Sequence, residues 1–183
     1  VRHLTWAELE AGLQTIKQAP KDRGSLELIV RRPRVGAREV LEVGELNEDE
    51  GLAGDSWSRR RHPHTSDGSP PRDTQLNVMN ARAIALIAQD RSRWPLAGDQ
   101  LYLDMDIGPD NLPPGTRLEI GTAVIEVSAE PHTGCAKFVE RFGVDAMKFV
   151  NSTVGRAHNL RGLNAKVVQP GTIRVGDLAS KRP

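Results

Sequence analysis

The chain has 183 residues, 38% of them hydrophobic and 27% charged, with 25 Lys and Arg against 24 Asp and Glu. That length suits one globular domain with a real core, and a formal net charge of +1 is too small to argue for nucleic acid or another polyanion as partner. No apolar run approaches the ~18 residues that cross a bilayer, and no basic-then-apolar leader opens the chain.

Thr5-Trp6-Ala7-Glu8 is a capping-box pattern, and Leu9, Leu13 and Ile16 follow at helical spacing until Pro20. Residues 1–24 therefore read as a short N-terminal helix and linker. Leu26–Val30 and Glu39–Val43 are predicted strands, joined as a hairpin through Pro33 and Gly36. Gly44 to Arg72 is rich in charge, Gly and Pro, with little periodicity, and is expected to be mostly loop. Gly51 and Gly54 suit a tight backbone path within it. Gln75–Met79 reads as a strand, and Asn80 caps a helix over Ala81–Ala88. Leu101–Asp104 is a further strand. Arg117–Ile120 and Ala123–Val127 form a second hairpin around Gly121-Thr122. Asp145–Val150 is helical. Asn164–Val168 and Thr172–Val175, joined by Pro170-Gly171, read as a third hairpin. Many short strands between turn signals predict a mainly β protein, a small barrel or sandwich with a few short flanking helices.

Cys135 is the only cysteine. One thiol makes no internal disulfide, which suits a reducing cytoplasm. A thiol is nucleophile, sulfur carrier or metal ligand only as thiolate, so its setting matters. Pro131 and Gly134 make a turn that leads into the amphipathic run Ala136–Phe142. Cys135 is therefore expected in the first turn of a short helix, near unpaired backbone N–H groups. Lys137 and His132 add positive charge nearby. His132 is a candidate proton shuttle, because imidazole titrates near neutrality, or a structural residue closing the turn. A buried, inert cysteine is the alternative. His62-Pro63-His64, with Asp55, Asp67 and Asp73 in the same loop, is a candidate divalent-metal cluster. It lacks the firm ligand spacing of zinc sites, and a mobile polar loop is the default. There is no Gly-rich nucleotide-binding loop and no elbow for a catalytic serine.

Gly51-Leu52-Ala53-Gly54-Asp55, Gln75–Asn80, Leu96–Leu101, Asn111–Gly115, Pro131–Phe138 and Arg161–Ala165, with Val175-Gly176-Asp177, together resemble the MOSC family, named after the C-terminal part of molybdenum-cofactor sulfurases. The resemblance runs from about residue 40 to 178 and implies a single MOSC-like domain over 1–183, a stand-alone member. It implies a β-barrel similar to that of pyruvate kinase. The family's cysteine, thought to handle sulfur or to ligate molybdenum in a pterin cofactor, matches Cys135. Some members reduce N-hydroxylated compounds with a reductase partner; Thr133–Phe138 departs from the proline-rich version of those members. Pyridoxal phosphate is not expected in this domain alone.

A molybdenum–pterin cofactor (molybdopterin) needs a soft thiolate for its metal, and Cys135 is the candidate ligand. It needs cations for its phosphate, and Arg161, Arg156, Lys137 and Arg59 are candidates. It needs polar groups for the pterin edge, and Asn80, Asp99, Asn111 and Asn164 are candidates, although their place in Gly/Pro-rich turns favours turn capping for each. Three functions stay open. One is an oxidoreductase or sulfurtransferase working through Cys135, with His132 moving a proton. The second is a non-catalytic module holding the cofactor or a sulfur donor. The third is a metal-independent thiol enzyme.

Overall fold

The computed structural model describes residues 2–63 and 65–182. The first helix, α1 (Trp6–Lys17), starts as the capping box predicts: Thr5 accepts from Glu8 N, and the Glu8 carboxylate accepts from Thr5 N. The chain then forms β1 (Arg23–Arg31), β2 (Glu39–Leu41), β3 (Val43–Asn47), β4 (Gly51–Leu52) and β5 (Leu76–Asn80). A crossover through α2 (Ala81–Ala88) and a 3-10 segment (Arg91–Ala97) leads to β6 (Leu101–Asp104). The hairpin β7 (Arg117–Ile120) and β8 (Ala123–Val127) follows. Three short helices come next: α3 (Ala136–Phe142), α4 (Val144–Asn151) and α5 (Thr153–Ala157). β9 (Leu163–Gln169), β10 (Gly171–Arg174) and β11 (Leu178–Lys181) complete the chain.

Seven strands close into a barrel in the order β1-β6-β5-β9-β8-β7-β11 and back to β1. Closure leaves these strands no free edge. β5 and β6 run parallel, because a helix-bearing crossover joins them. Strand alternation sorts the core into two layers. Leu26, Ile29, Leu76, Val78, Leu101 and Leu103 pack in the interior cluster. Leu28, Val30, Met79 and Tyr102 point the other way, into a second cluster under the helices with Phe138, Phe142 and Phe149. The mainly β barrel with short flanking helices is as expected.

Two expectations fail locally, and one that holds, the long loop, gains detail. The stretch from residue 44 is not all loop: β3 and β4 form a small hairpin, because Asn47 Oδ1 accepts from the backbone N–H groups of Asp49 and Glu50 and bends the chain. The strand expected over Glu39–Val43 stops at Leu41, and Val43 starts β3 in the other sheet. The expected third hairpin is absent. β9 already has β5 and β8 on its flanks, so β10 steps out to pair with β3.

Asn80 is a fold residue rather than a site residue. It is buried, accepts from Arg82 N and Ala83 N at the start of α2, and donates to the Met105 carbonyl. Asn80→Ala removes a cap and orphans a buried carbonyl, so urea unfolding should show a loss of about 2–3 kcal/mol with an unchanged m-value.

Candidate functional site

The end of β1 and the starts of β5, β6 and β9 meet at one rim of the barrel, and the segment leaving β8 passes over it. Asp99 lies just before β6 and is fully buried. Its carboxylate accepts from Arg161 Nη1 at 3.0 and 2.8 Å and from His132 Nε2 at 2.9 Å. Arg161 Nη2 donates to the Ala97 carbonyl at 3.0 Å, and the guanidinium lies 5.0 Å from the Phe138 ring centroid. Gly162, at φ +112°, makes this possible: a Cβ there would stand 2.5 Å from the Val78 carbonyl oxygen, 3.1 Å from the His132 ring and 3.2 Å from Asp99.

Burial drives the Asp99 pKa up, but Arg161 and His132 outweigh it and hold the group at about 2, below its ordinary 3.8. Burial, reinforced by Arg161 and opposed by Asp99, pushes His132 below its ordinary 6.5. At neutral pH the carboxylate is an acceptor only, so the neutral His132 carries its hydrogen on Nε2 and leaves Nδ1 as an acceptor.

Cys135 is exposed. It precedes α3 as its N-cap residue instead of standing in the first turn, and its side chain makes no capping bond. The preceding turn is pinned by Asn151, whose side chain accepts from Gly134 N at 2.9 Å and donates to Gly134 O at 3.2 Å. The thiol opens on a cleft of about 580 Å³ walled by Arg34, Arg38, Arg60, Lys137, Arg141 and Arg161, with Glu140 the acid on its lining. Arg161 is paired with Asp99. Among the described residues the other five cations have no carboxylate partner. Burial, and next Arg141 and Arg32, lower the Arg38 pKa; burial and Arg32 do the same to Arg60. These shifts mark a region with more positive charge than it neutralises.

A second buried pair stands beside the first. Asp55 accepts from Arg32 N, Nε and Nη2 at 2.8, 3.0 and 2.9 Å. Arg32 Nη1 reaches Asn77 Oδ1 at 3.0 Å and the Gly98 carbonyl at 2.9 Å. Asn77 donates on to Asn164 Oδ1, and Asn164 donates to the Glu130 and Pro131 carbonyls.

The structure therefore gathers Cys135, Lys137 and Arg161 on one cleft. His132 joins them through Asp99. Asn164 is buried in support of the 130–131 backbone. Arg156 lines a separate cavity. Arg59 donates to the Pro33 carbonyl and is not on the cleft wall; its neighbour Arg60 is. Asn111 is spent on the carbonyls of Lys21 and Asp106. Among the described residues the loop metal cluster does not form. Asp55 holds Arg32, Asp67 accepts from Ser69, and Asp73 pairs with Lys166. Among the described residues no three His, Cys, Asp or Glu converge. His64 lies outside the described residues.

Arg38 and Arg141 were missed from the sequence, and Asp99, a candidate there for the pterin edge, is instead the buried partner of Arg161 and His132. Asp99 had one signal: Gly54-Asp55 and Gly98-Asp99 repeat a dipeptide whose glycine has positive φ (+80° and +90°) and whose aspartate is buried against an arginine.

Fold and site together define a β-barrel protein with one exposed cysteine at a basic rim cleft. The MOSC domain family model matches residues 72–179, and the chain belongs to that family. Solved structures share the fold at low identity. The YUAD protein from Bacillus subtilis superposes with a TM-score of 0.60 at 15% identity, covering 87% of this chain and 97% of that one. YiiM from Escherichia coli does so at 0.55 and 18%, covering 87% and 70%. YiiM from Geobacillus stearothermophilus gives 0.54 and 13%, covering 87% and 73%. No curated protein matches the chain significantly. No helix among the described residues is long and apolar enough to cross a membrane.

Asp99 and His132 both have folded pKa values below their ordinary ones, so the unfolded chain binds more protons as pH falls. Their stabilisation is complete above 6.5. It should decline first as His132 charges in the unfolded chain, and again from 3.8 down to about 2 as Asp99 is protonated. Asp99→Asn strands the Arg161 charge and should cost about 3–5 kcal/mol at neutral pH while flattening the lower step, as read by urea unfolding across pH.

Proposed function

We propose that Cys135 and its basic cleft bind a small anionic ligand that presents a sulfur-loving centre to the thiol, a molybdenum–pterin cofactor being the group that fits best. The observation that carries this reading is an exposed, uncapped thiol on a cleft where Arg34, Arg38, Arg60, Lys137 and Arg141 lack carboxylate partners. A soft thiolate suits a metal already held by sulfur. Unneutralised guanidinium groups suit a phosphate, which they bind through paired N–H donors. When bound, such a cofactor supplies a centre that exchanges two electrons with a substrate. The chain's own part would be to fix the thiol through Asn151 and Gly134 and to hold the anionic tail with Arg38, Arg60 and Lys137, while His132 stays neutral beyond the Asp99–Arg161 pair, off the lining of this cleft. Reduction of N-hydroxylated compounds with a separate reductase is the activity to test first.

The uncapped thiol also favours sulfur carriage. The Cys135 thiolate would attack the outer sulfur of a donor persulfide, take it as a persulfide and release the donor as thiolate. No metal is needed, and the same cations would stabilise the anionic sulfur.

Protein isolated gently from a molybdate-replete host should carry molybdenum by elemental analysis or, on the sulfur-carrier reading, the mass of one added sulfur by intact-mass spectrometry. Cys135→Ser should lose either. Full loading in that variant removes Cys135 from the role. Arg38→Gln with Arg60→Gln should weaken orthophosphate binding about tenfold or more, measured by calorimetry at fixed salt.

A further inference from the structure

A second cavity of about 520 Å³ opens at the same rim and shares only Arg161 with the Cys135 cleft. Its size suits a small organic ligand. Leu112, Val127, Val150 and Leu163 give it an apolar wall. Its charges cancel. Arg161 is neutralised by Asp99, and the exposed Arg156 and Glu130 put one cation and one carboxylate on the same lining. Three of its polar donors are spent on the protein: Asn151 Nδ2 on the Gly134 carbonyl, Asn159 Nδ2 on the Ile107 carbonyl and the Ser128 hydroxyl on the Asp73 carbonyl. The exposed Thr133 hydroxyl serves as donor or acceptor. Two acceptors are unspent. His132 Nδ1 and Asn159 Oδ1 accept no hydrogen bond among the described residues, and neither is sealed from solvent.

The bond to Asp99 decides how His132 can act. An ionised carboxylate only accepts, so the one hydrogen of the neutral imidazole sits on Nε2 and Nδ1 is left as an acceptor. Nε2 faces the fully buried Asp99, and the neighbouring Cδ2 lies over Gly162, where a Cβ would stand 3.1 Å from it. His132 borders this cavity and not the Cys135 cleft, so the 17% of its side chain that stays exposed opens here. We infer that this cavity binds a small neutral molecule with an apolar body and a hydroxyl or N–H group that donates a hydrogen bond to His132 Nδ1. The apolar wall takes the body, and a lining whose charges cancel gives an anionic or cationic head no advantage. Asn159 Oδ1 is a second acceptor for a ligand with two donors. A ligand without a donor covers Nδ1 and leaves it unpaired, which is the basis of selection. The site does not depend on what Cys135 carries, because the thiol is not on its lining.

Phenol, its donor-free ether anisole and the anion benzoate test this on the full chain by NMR titration at neutral pH. Phenol should bind saturably, with amide shifts centred on residues 128–133 and 150–163. Anisole should bind about fivefold or more weakly, the worth of one hydrogen bond, and benzoate no more tightly than phenol. In protein labelled with ¹⁵N-histidine, phenol should move the His132 Nδ1 resonance and anisole should not. Arg156→Gln should leave phenol binding unchanged, since the ligand is neutral. His132→Gln keeps a donor for Asp99 but removes Nδ1, and should weaken phenol about fivefold; the nitrogen resonance of the unaltered chain decides the matter should that variant not fold. Equal affinity for anisole, tighter binding of benzoate, a His132 Nδ1 resonance that phenol does not move, or shifts centred on residues 135–141 would overturn the assignment, whatever the loading of Cys135 proves to be.

Discussion

The rim depends on the buried contact between Asp99 and Arg161. Two charges taken out of water are costly unless geometry and further hydrogen bonds satisfy them. Here the carboxylate takes both Arg161 and His132, and the guanidinium also reaches Ala97 O. Three segments far apart in sequence are thereby held together: the end of the crossover before β6, the segment after β8, and the turn into β9. The segment after β8 carries Cys135 three residues beyond His132. The position of the thiol is thus set by a tertiary ion pair and by the Asn151 clasp on Gly134, more than by the short helix that follows.

The Arg32–Asp55 pair repeats the solution on the neighbouring segments, and the Asn77–Asn164 bond links its network to the backbone under His132. Both pairs are internally neutral. Neither arginine therefore adds a full charge to the cleft. The field at Cys135 comes from residues that the sequence scatters widely: Arg34 and Arg38 from the β1–β2 connection, Arg60 from just after a 3-10 turn (Trp57–Arg59), Lys137 and Arg141 from α3. Evolution of such a surface needs a reason, because like charges crowded in a partly desolvated cleft destabilise the fold. An anionic occupant supplies one.

Local signals in the chain were enough for much of the fold. The Thr5 capping box, the Asn80 cap, and the Gly121-Thr122 hairpin each act within a few residues, and each forms as expected. Failures came where partnership over long range decides. Pro170-Gly171 looks like a hairpin turn, but strand pairing elsewhere leaves β9 no room for β10. Of the site, Cys135, His132, Lys137 and Arg161 were legible because they sit in motif-bearing stretches. Arg38 and Arg141 were not, since a surface arginine looks the same in sequence whether it faces solvent or a cleft. Asn80 and Asn164 show the converse: polar residues in such stretches that serve the backbone.

The Asp99–Arg161 pair is also a partition. Arg161 borders both cavities, while the thiol faces one and His132 the other. A wall made of an ion pair holds its place because shifting either partner would strand a buried charge. It is still polar, so groups on its two sides can sense each other electrically without sharing solvent. His132 Nδ1 is left as an acceptor by the Asp99 bond. A proton accepted there would leave the Asp99 carboxylate divided between two cations instead of one.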